Sequence, residues 1–200
     1  MSRTTSVSAS WFQNSPPFGT GDSTSDGTST FDYFTRSLTS GAGGASQTSY
    51  LVANGAYAAV SATGTDNGSV MQHAGASGTS AFTYVFQLTT PTTLYINGAL
   101  TRNSPGLFTG YGTVRIYNDV TNQLVYEASG GSIFDMTLNF SDTYAAAAGR
   151  YRFAVTASNS GNGAAPGSYT SGATAMLTTP TPGSASLLLL GGLAAARRRR

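Results

Sequence analysis

Residues 80–88 read Ser-Ala-Phe-Thr-Tyr-Val-Phe-Gln-Leu, so Phe82, Tyr84, Phe86 and Leu88 fall on every second position. Side chains alternate across a strand, and this period of two predicts a half-buried strand with those four facing inward. The same alternation recurs outward along the chain. It runs through Leu94, Ile96, Gly98 and Leu100, through Val114 and Ile116, and through Phe134, Met136, Leu138 and Phe140. Tyr151, Phe153 and Val155 alternate with outward Arg150, Arg152 and Ala154. Turn chemistry separates these runs. Asn54-Gly55 suits a positive-φ hairpin turn between Tyr50–Val52 and Tyr57–Val60, and residues 117–127 read as a second hairpin. Phe31, Tyr33 and residues 36–38 suggest a strand, residues 174–177 another, and Tyr144 to Ala148 one helical turn ended by Gly149. Short strands separated by turns, with no βαβ pattern, predict an all-β fold: an antiparallel β-sandwich or jelly-roll-like domain.

Composition agrees. The chain has 26 Ser, 29 Thr, 25 Gly, 11 Tyr and 10 Phe, against one Trp and one Glu. Thr, Tyr, Phe and Val suit a pleated surface, whereas long helices favour residues that are scarce here apart from Ala. Three segments are expected. Residues 1–28 are polar, small and turn-rich, which predicts a flexible lead-in able to lend an edge strand around Thr4 to Phe12. Residues 29–178 are the sandwich, and 179–200 a tail of different character.

Charge narrows the function classes. The formal +2 includes four arginines, Arg197 to Arg200; the body carries six Arg, no Lys and eight acids, a net of −2. Nucleic-acid affinity rests on many phosphate-neutralising cations, so no nucleic-acid partner is expected. The absence of cysteine excludes disulfides, thiolate metal sites and a cysteine nucleophile.

The tail orders three elements: Pro180-Thr181-Pro182-Gly183, an apolar run, and Arg197, Arg198, Arg199 and Arg200. Alternate prolines hold the chain extended and end the last strand. The 13 residues from Ser184 to Ala196 predict a short C-terminal hydrophobic helix with Leu187, Leu188, Leu189, Leu190 and Leu193 as its membrane segment. At ~1.5 Å per residue this helix reaches roughly 20 Å, short of the ~30 Å bilayer core. Positive charge beside a membrane segment stays cytoplasmic, which puts the arginines inside and the body outside. Export of the body implies a leader upstream of Met1, because Arg3 is followed by no apolar run.

This order resembles the PEP-CTERM sorting tail of Gram-negative bacteria, in a Pro-Thr-Pro-Gly form with Thr181 where the commoner form has glutamate. The resemblance covers Pro180 to Arg200. It implies that an exosortase, an integral membrane enzyme, recognises and removes the tail. The precursor would then touch the inner membrane transiently, and the body would pass to the cell surface or extracellular matrix. A permanent membrane anchor is the other reading of the tail.

Candidates for chemistry in the body are few. His73 is the one histidine, with Ser69 and Ser77 near it in sequence but no Gly-x-Ser-x-Gly elbow. Glu127 with Asp135 is the pair a glycosidase would need, while Asp66-Asn67 and Asn118-Asp119-Asn122 are turn clusters with calcium-type oxygens. Trp11, Tyr111 and Tyr117 could stack on sugar rings. Each also has an ordinary structural use, so no catalytic residue, metal or cofactor is assigned. The expected role is structural or adhesive, with carbohydrate binding, and hence an extracellular polysaccharide partner, as the alternative.

Overall fold

The computed structural model describes residues 2–13, 20–30, 32–40, 43–52, 54–66, 74–103, 109–130, 136–160 and 167–180. They form twelve strands: β1 Ser2–Gln13, β2 Thr20–Thr28, β3 Phe34–Ser40, β4 Gly43–Val52, β5 Gly55–Asp66, β6 Ala74–Leu88, β7 Thr92–Asn103, β8 Thr109–Asn118, β9 Gln123–Gly130, β10 Met136–Ala146, β11 Gly149–Ser160 and β12 Gly167–Thr178. Two six-stranded antiparallel sheets result, one ordered β2-β1-β6-β11-β8-β9 (the first sheet) and the other β10-β7-β12-β5-β4-β3 (the second). The chain is an all-β sandwich.

The pairings of the last eight strands are nested. β8 pairs β9, β7 pairs β10, β6 pairs β11 and β5 pairs β12. One long hairpin folded over itself gives this order, the jelly roll of two Greek keys. The hairpins β1–β2 and β3–β4 then widen one side, β1 docking on β6 and β4 on β5.

Alternation builds most of the core as the sequence implies; Leu138, opposite the buried Leu100, is instead exposed because β10 is an edge strand. Phe82, Tyr84, Phe86 and Leu88 are all buried, as are Leu94, Ile96, Leu100, Val114, Ile116, Tyr151, Phe153 and Val155. Burial of each such side chain contributes roughly 1.5–3 kcal/mol. Phe82 and Phe153 meet edge to face at 6.2 Å, and Tyr84, Phe86 and Tyr151 stack in series. A small second core of Val7, Phe34 and Ala45 lies under the added hairpins. Beside it Arg3, 1% exposed, donates to the carbonyls of Thr30, Asp32 and Ser49 and to Ser49 Oγ. Desolvation lowers its pKa, and Asp32 opposes that shift.

Three expectations need revision or fall outside the structure. Residues 20–28 form a strand where a flexible lead-in was expected. The edge strand allowed around Thr4 to Phe12 is β1, which lies between β2 and β6 and not at an edge, because it completes a ladder with β6 whatever its polarity. Tyr144 to Ala146 continue β10, paired to Leu94, Thr93 and Thr92, so no helical turn forms there. The hydrophobic helix expected in 184–196 lies outside the described residues.

The sandwich tapers. A Cβ on Gly78 would sit 2.1 Å from the Gly44 carbonyl oxygen of the opposite sheet, and one on Gly112 2.4 Å from that of Gly172. Backbone meets backbone at this end, while aromatic rings hold the sheets apart at the other. Antiparallel order sends the connections after β2, β4, β6, β8 and β10 to the aromatic end, where the cleft described below opens.

Candidate functional site

The outer faces carry hydroxyls at outward strand positions. On the first sheet Ser10 and Ser77 share a hydrogen bond at 2.6 Å, as do Thr113 and Thr156. On the second, Ser46 and Ser61 do so at 2.7 Å and Thr35 and Thr48 at 3.2 Å. Each such cross-strand pair contributes roughly 0.2–1 kcal/mol. Thr113 itself is buried, and the other hydroxyls named are half-buried or exposed.

Aromatic side chains interrupt this pattern on the second sheet. Tyr50 of β4 lies directly opposite Tyr57 of β5, with ring centroids 4.9 Å apart. Tyr33, just before β3, stacks on Tyr50 at 5.8 Å and ends the row, 64% exposed. Across the same face, Tyr95 of β7 is also exposed.

A cleft of about 240 Å³ opens beside this row, between the sheets. Leu51, Tyr84, Phe86, Leu88 and Leu177 supply its apolar walls, and Asn54, Gln87 and Thr179 its amide and hydroxyl groups. Register explains its place. β1 pairs β6 from Val85 back toward Ala74, and β3 pairs β4 from Ser49 back toward Gly43. Phe86–Leu88 and Tyr50–Val52 therefore lack an outer strand among the described residues. Asn54 Nδ2 donates to the Thr179 carbonyl at 2.7 Å, while the Thr179 amide donates back to the Asn54 carbonyl at 2.8 Å. Those bonds fix one wall. Burial raises the Tyr84 phenol above its ordinary pKa, keeping it neutral.

The residues singled out by sequence are dispersed. Tyr117 lies beneath the Arg152 guanidinium, 4.7 Å from its ring centroid, so that face is taken; Tyr111 is half exposed elsewhere on β8. Trp11 is on β1 opposite Ala76. Asp119 is held by Arg150 at 2.8 Å and Arg152 at 3.7 Å, and Arg152 also donates to Asn122 Oδ1. Asn118 Oδ1 accepts the amides of Val120 and Thr121. Arginines and backbone amides thus occupy the oxygens of the Asn118-Asp119-Asn122 cluster. Glu127 pairs with Arg115, raising the arginine pKa chiefly through that hydrogen bond. Ser77 is bonded to Ser10, and Asp66 ends β5 opposite Gly167.

His73, Ser69, Asn67 and Asp135 lie outside the described residues, as do Thr181 to Arg200 of the tail. Pro180 is described and exposed. Among the described residues no helix is long and apolar enough to cross a membrane, and no three acids or histidines group to hold a metal. Sequence reasoning passed over Tyr33, Tyr50 and Tyr57. The last two are symmetric about the peptide joining residues 53 and 54, which was the available signal.

No protein-family profile and no curated protein matches this chain. Solved structures give distant likenesses. TmCBM61 in complex with β-1,4-galactotriose has 8% identity and a TM-score of 0.30, over 60% of this chain and 70% of that one. The infectious bursal disease virus VP2 subviral particle has 12% and 0.37, over 92% of this chain and 56% of that one. Arthrobacter globiformis T6 isomalto-dextranase complexed with panose has 14% and 0.29, over 78% and 27%. At these values the chain is similar to a range of β-rich proteins, and none of them carries an argument about function.

Proposed function

We propose that this chain is an exported, non-catalytic surface protein with a structural or adhesive role, sorted through a C-terminal tail that an exosortase removes. The observation that carries the reading is the order Pro180-Thr181-Pro182-Gly183, Leu187–Leu190 with Leu193, and Arg197–Arg200. The position of the tail supports it. β12 ends at Thr178, Thr179 is bonded to Asn54, and Pro180 is exposed, so the tail leaves a closed domain at one accessible point. Mass spectrometry of the native protein tests this. The mature chain is expected to end near Pro182, and a chain intact to Arg200 in the membrane fraction would favour permanent anchoring instead.

A second reading, carbohydrate binding at the cell surface, is favoured by the stacked Tyr33, Tyr50 and Tyr57 beside a cleft with apolar walls and amide groups. Retention on immobilised polysaccharide is its test.

A further inference from the structure

We propose that the cleft flanking the β4–β5 hairpin is a subsite for one neutral sugar unit of a polysaccharide, with Val52 and Asn54 at its mouth. The proposal rests on the carbohydrate-binding reading and gives it a place and a ligand class.

Chemistry of the walls comes first. A pyranose has a face of C–H groups and a rim of hydroxyls that both donate and accept. The cleft sets Leu51, Tyr84 and Phe86 against the amides of Asn54 and Gln87. A carboxamide carries donors and an acceptor side by side, which matches a hydroxyl's double role. Asn54 already spends a donor on Thr179, and its Oδ1 accepts no bond from a described residue. Thr179 Oγ1 likewise donates to the Asn54 carbonyl and Gln87 Nε2 to the Leu88 carbonyl. The group that an apolar occupant such as an acyl chain would bury without a partner is therefore Asn54 Oδ1, which is unfavourable.

Charge decides the ligand class. No residue lining the cleft is ionisable near neutrality. Arg36, Arg115 and Arg150 are each paired with a carboxylate elsewhere. A uronate or phosphate would therefore lose hydration without gaining a counter-charge. Size agrees, since about 240 Å³ lies below the ~300–1,000 Å³ of sites that engulf drug-sized ligands. One ring fits, and the rest of the chain stays outside. Val52 lines the cleft and shares the outward side of β4 with Tyr50, two positions away, so a chain leaving past Val52 would run toward the tyrosine row.

Affinity electrophoresis of the full chain tests this, with a neutral β-glucan, galactan, mannan and dextran, and with polygalacturonate as the acidic probe. Val52→Arg places a cation at the mouth. Gln87→Glu, at an exposed position, adds charge with little change of shape and keeps the test valid if the first variant unfolds. Val120→Ala, at an exposed position in the β8–β9 turn, is the control. The native chain is expected to be retarded by at least one neutral polymer. Both cleft variants should weaken that retention about tenfold or more, roughly 1.4 kcal/mol, while Val120→Ala leaves it unchanged. Equal retention of native chain and cleft variants would overturn the site and leave the carbohydrate reading standing. Retention by polygalacturonate alone would overturn the neutral-ligand assignment. Retention by no polymer would remove both.

Discussion

The Tyr126 hydroxyl donates to Asp142 Oδ2 at 2.9 Å and ties edge strand β9 of one sheet to edge strand β10 of the other. On the opposite side of the sandwich Arg36 pairs with Asp26, joining β3 to β2. Both open flanks are thus closed by a single polar pair. Tyr126→Phe removes the first closure without changing packing and should cost about 0.5–1.5 kcal/mol in urea unfolding.

The same residue sets an alkaline limit. Burial first, then the hydrogen bond and charge of Asp142, raise the Tyr126 phenol well above its ordinary value. Burial also raises Tyr84 and Tyr151. A phenol raised on folding contributes stability that is whole below pH ~10 and is lost as pH climbs toward the folded pKa. Stability measured from neutral pH upward should therefore fall above pH ~10. Tyr126→Phe should make that fall shallower; an unchanged slope would show that Tyr126 does not contribute to it.

Glycine contacts at the narrow end are a packing requirement. Gly78→Ala drives a methyl into the Gly44 carbonyl and should destabilise by about 1–3 kcal/mol. At Gly110 the nearest heavy atom to a new Cβ is 3.5 Å away and φ is not positive. There alanine should instead stabilise by about 0.4–1 kcal/mol, through lost freedom in the unfolded chain. Paired thermal melts would separate the two.

Arg3 ties the two added hairpins to each other, and its guanidinium lies 5.7 Å from the Phe82 ring centroid of the jelly roll. Arg3→Met leaves the Thr30, Asp32 and Ser49 carbonyls without their donor, at about 1–3 kcal/mol for each group that stays buried. Hydrogen exchange should then quicken in β1 and β2 while β11 stays protected. Uniform loss of protection would mean that the added hairpins do not open on their own.

Occupation of Asp119 by two arginines makes a metal-removal prediction. EDTA and added calcium should both leave the melting temperature unchanged at the β8–β9 turn. A calcium-dependent rise abolished by Asp119→Asn would contradict the ion pairs.

Strands with strong amplitude were legible from sequence: Phe82 through Leu88, Leu94 through Leu100, and Tyr151 through Val155 face inward as the alternation implies. β1 was legible only as an optional edge strand around Thr4 to Phe12, because its inward positions are Arg3, Thr5, Val7 and Ala9, and a buried arginine reverses the hydropathy signal. β2 is an edge strand and needs few apolar residues. The alanines after Tyr144 read as helical by propensity, but the ladder to β7 overrides that preference. Neither the tyrosine row nor the cleft is a local property. Tyr33 meets Tyr50, and Leu51 shares a cleft with Phe86, only once strand order and register are known.

β12 occupies the middle of its sheet, with β5 on one side and β7 on the other, so residue 57 lies opposite residue 176. A chain growing from its N-terminus holds β5 and β7 without their common neighbour until residues 167–178 have been made. Pairing across such sequence distances is slow. The polypeptide consequently stays threadable until its final strand is delivered, and completion of the fold falls in the same interval as emergence of the segment from Pro180 onward.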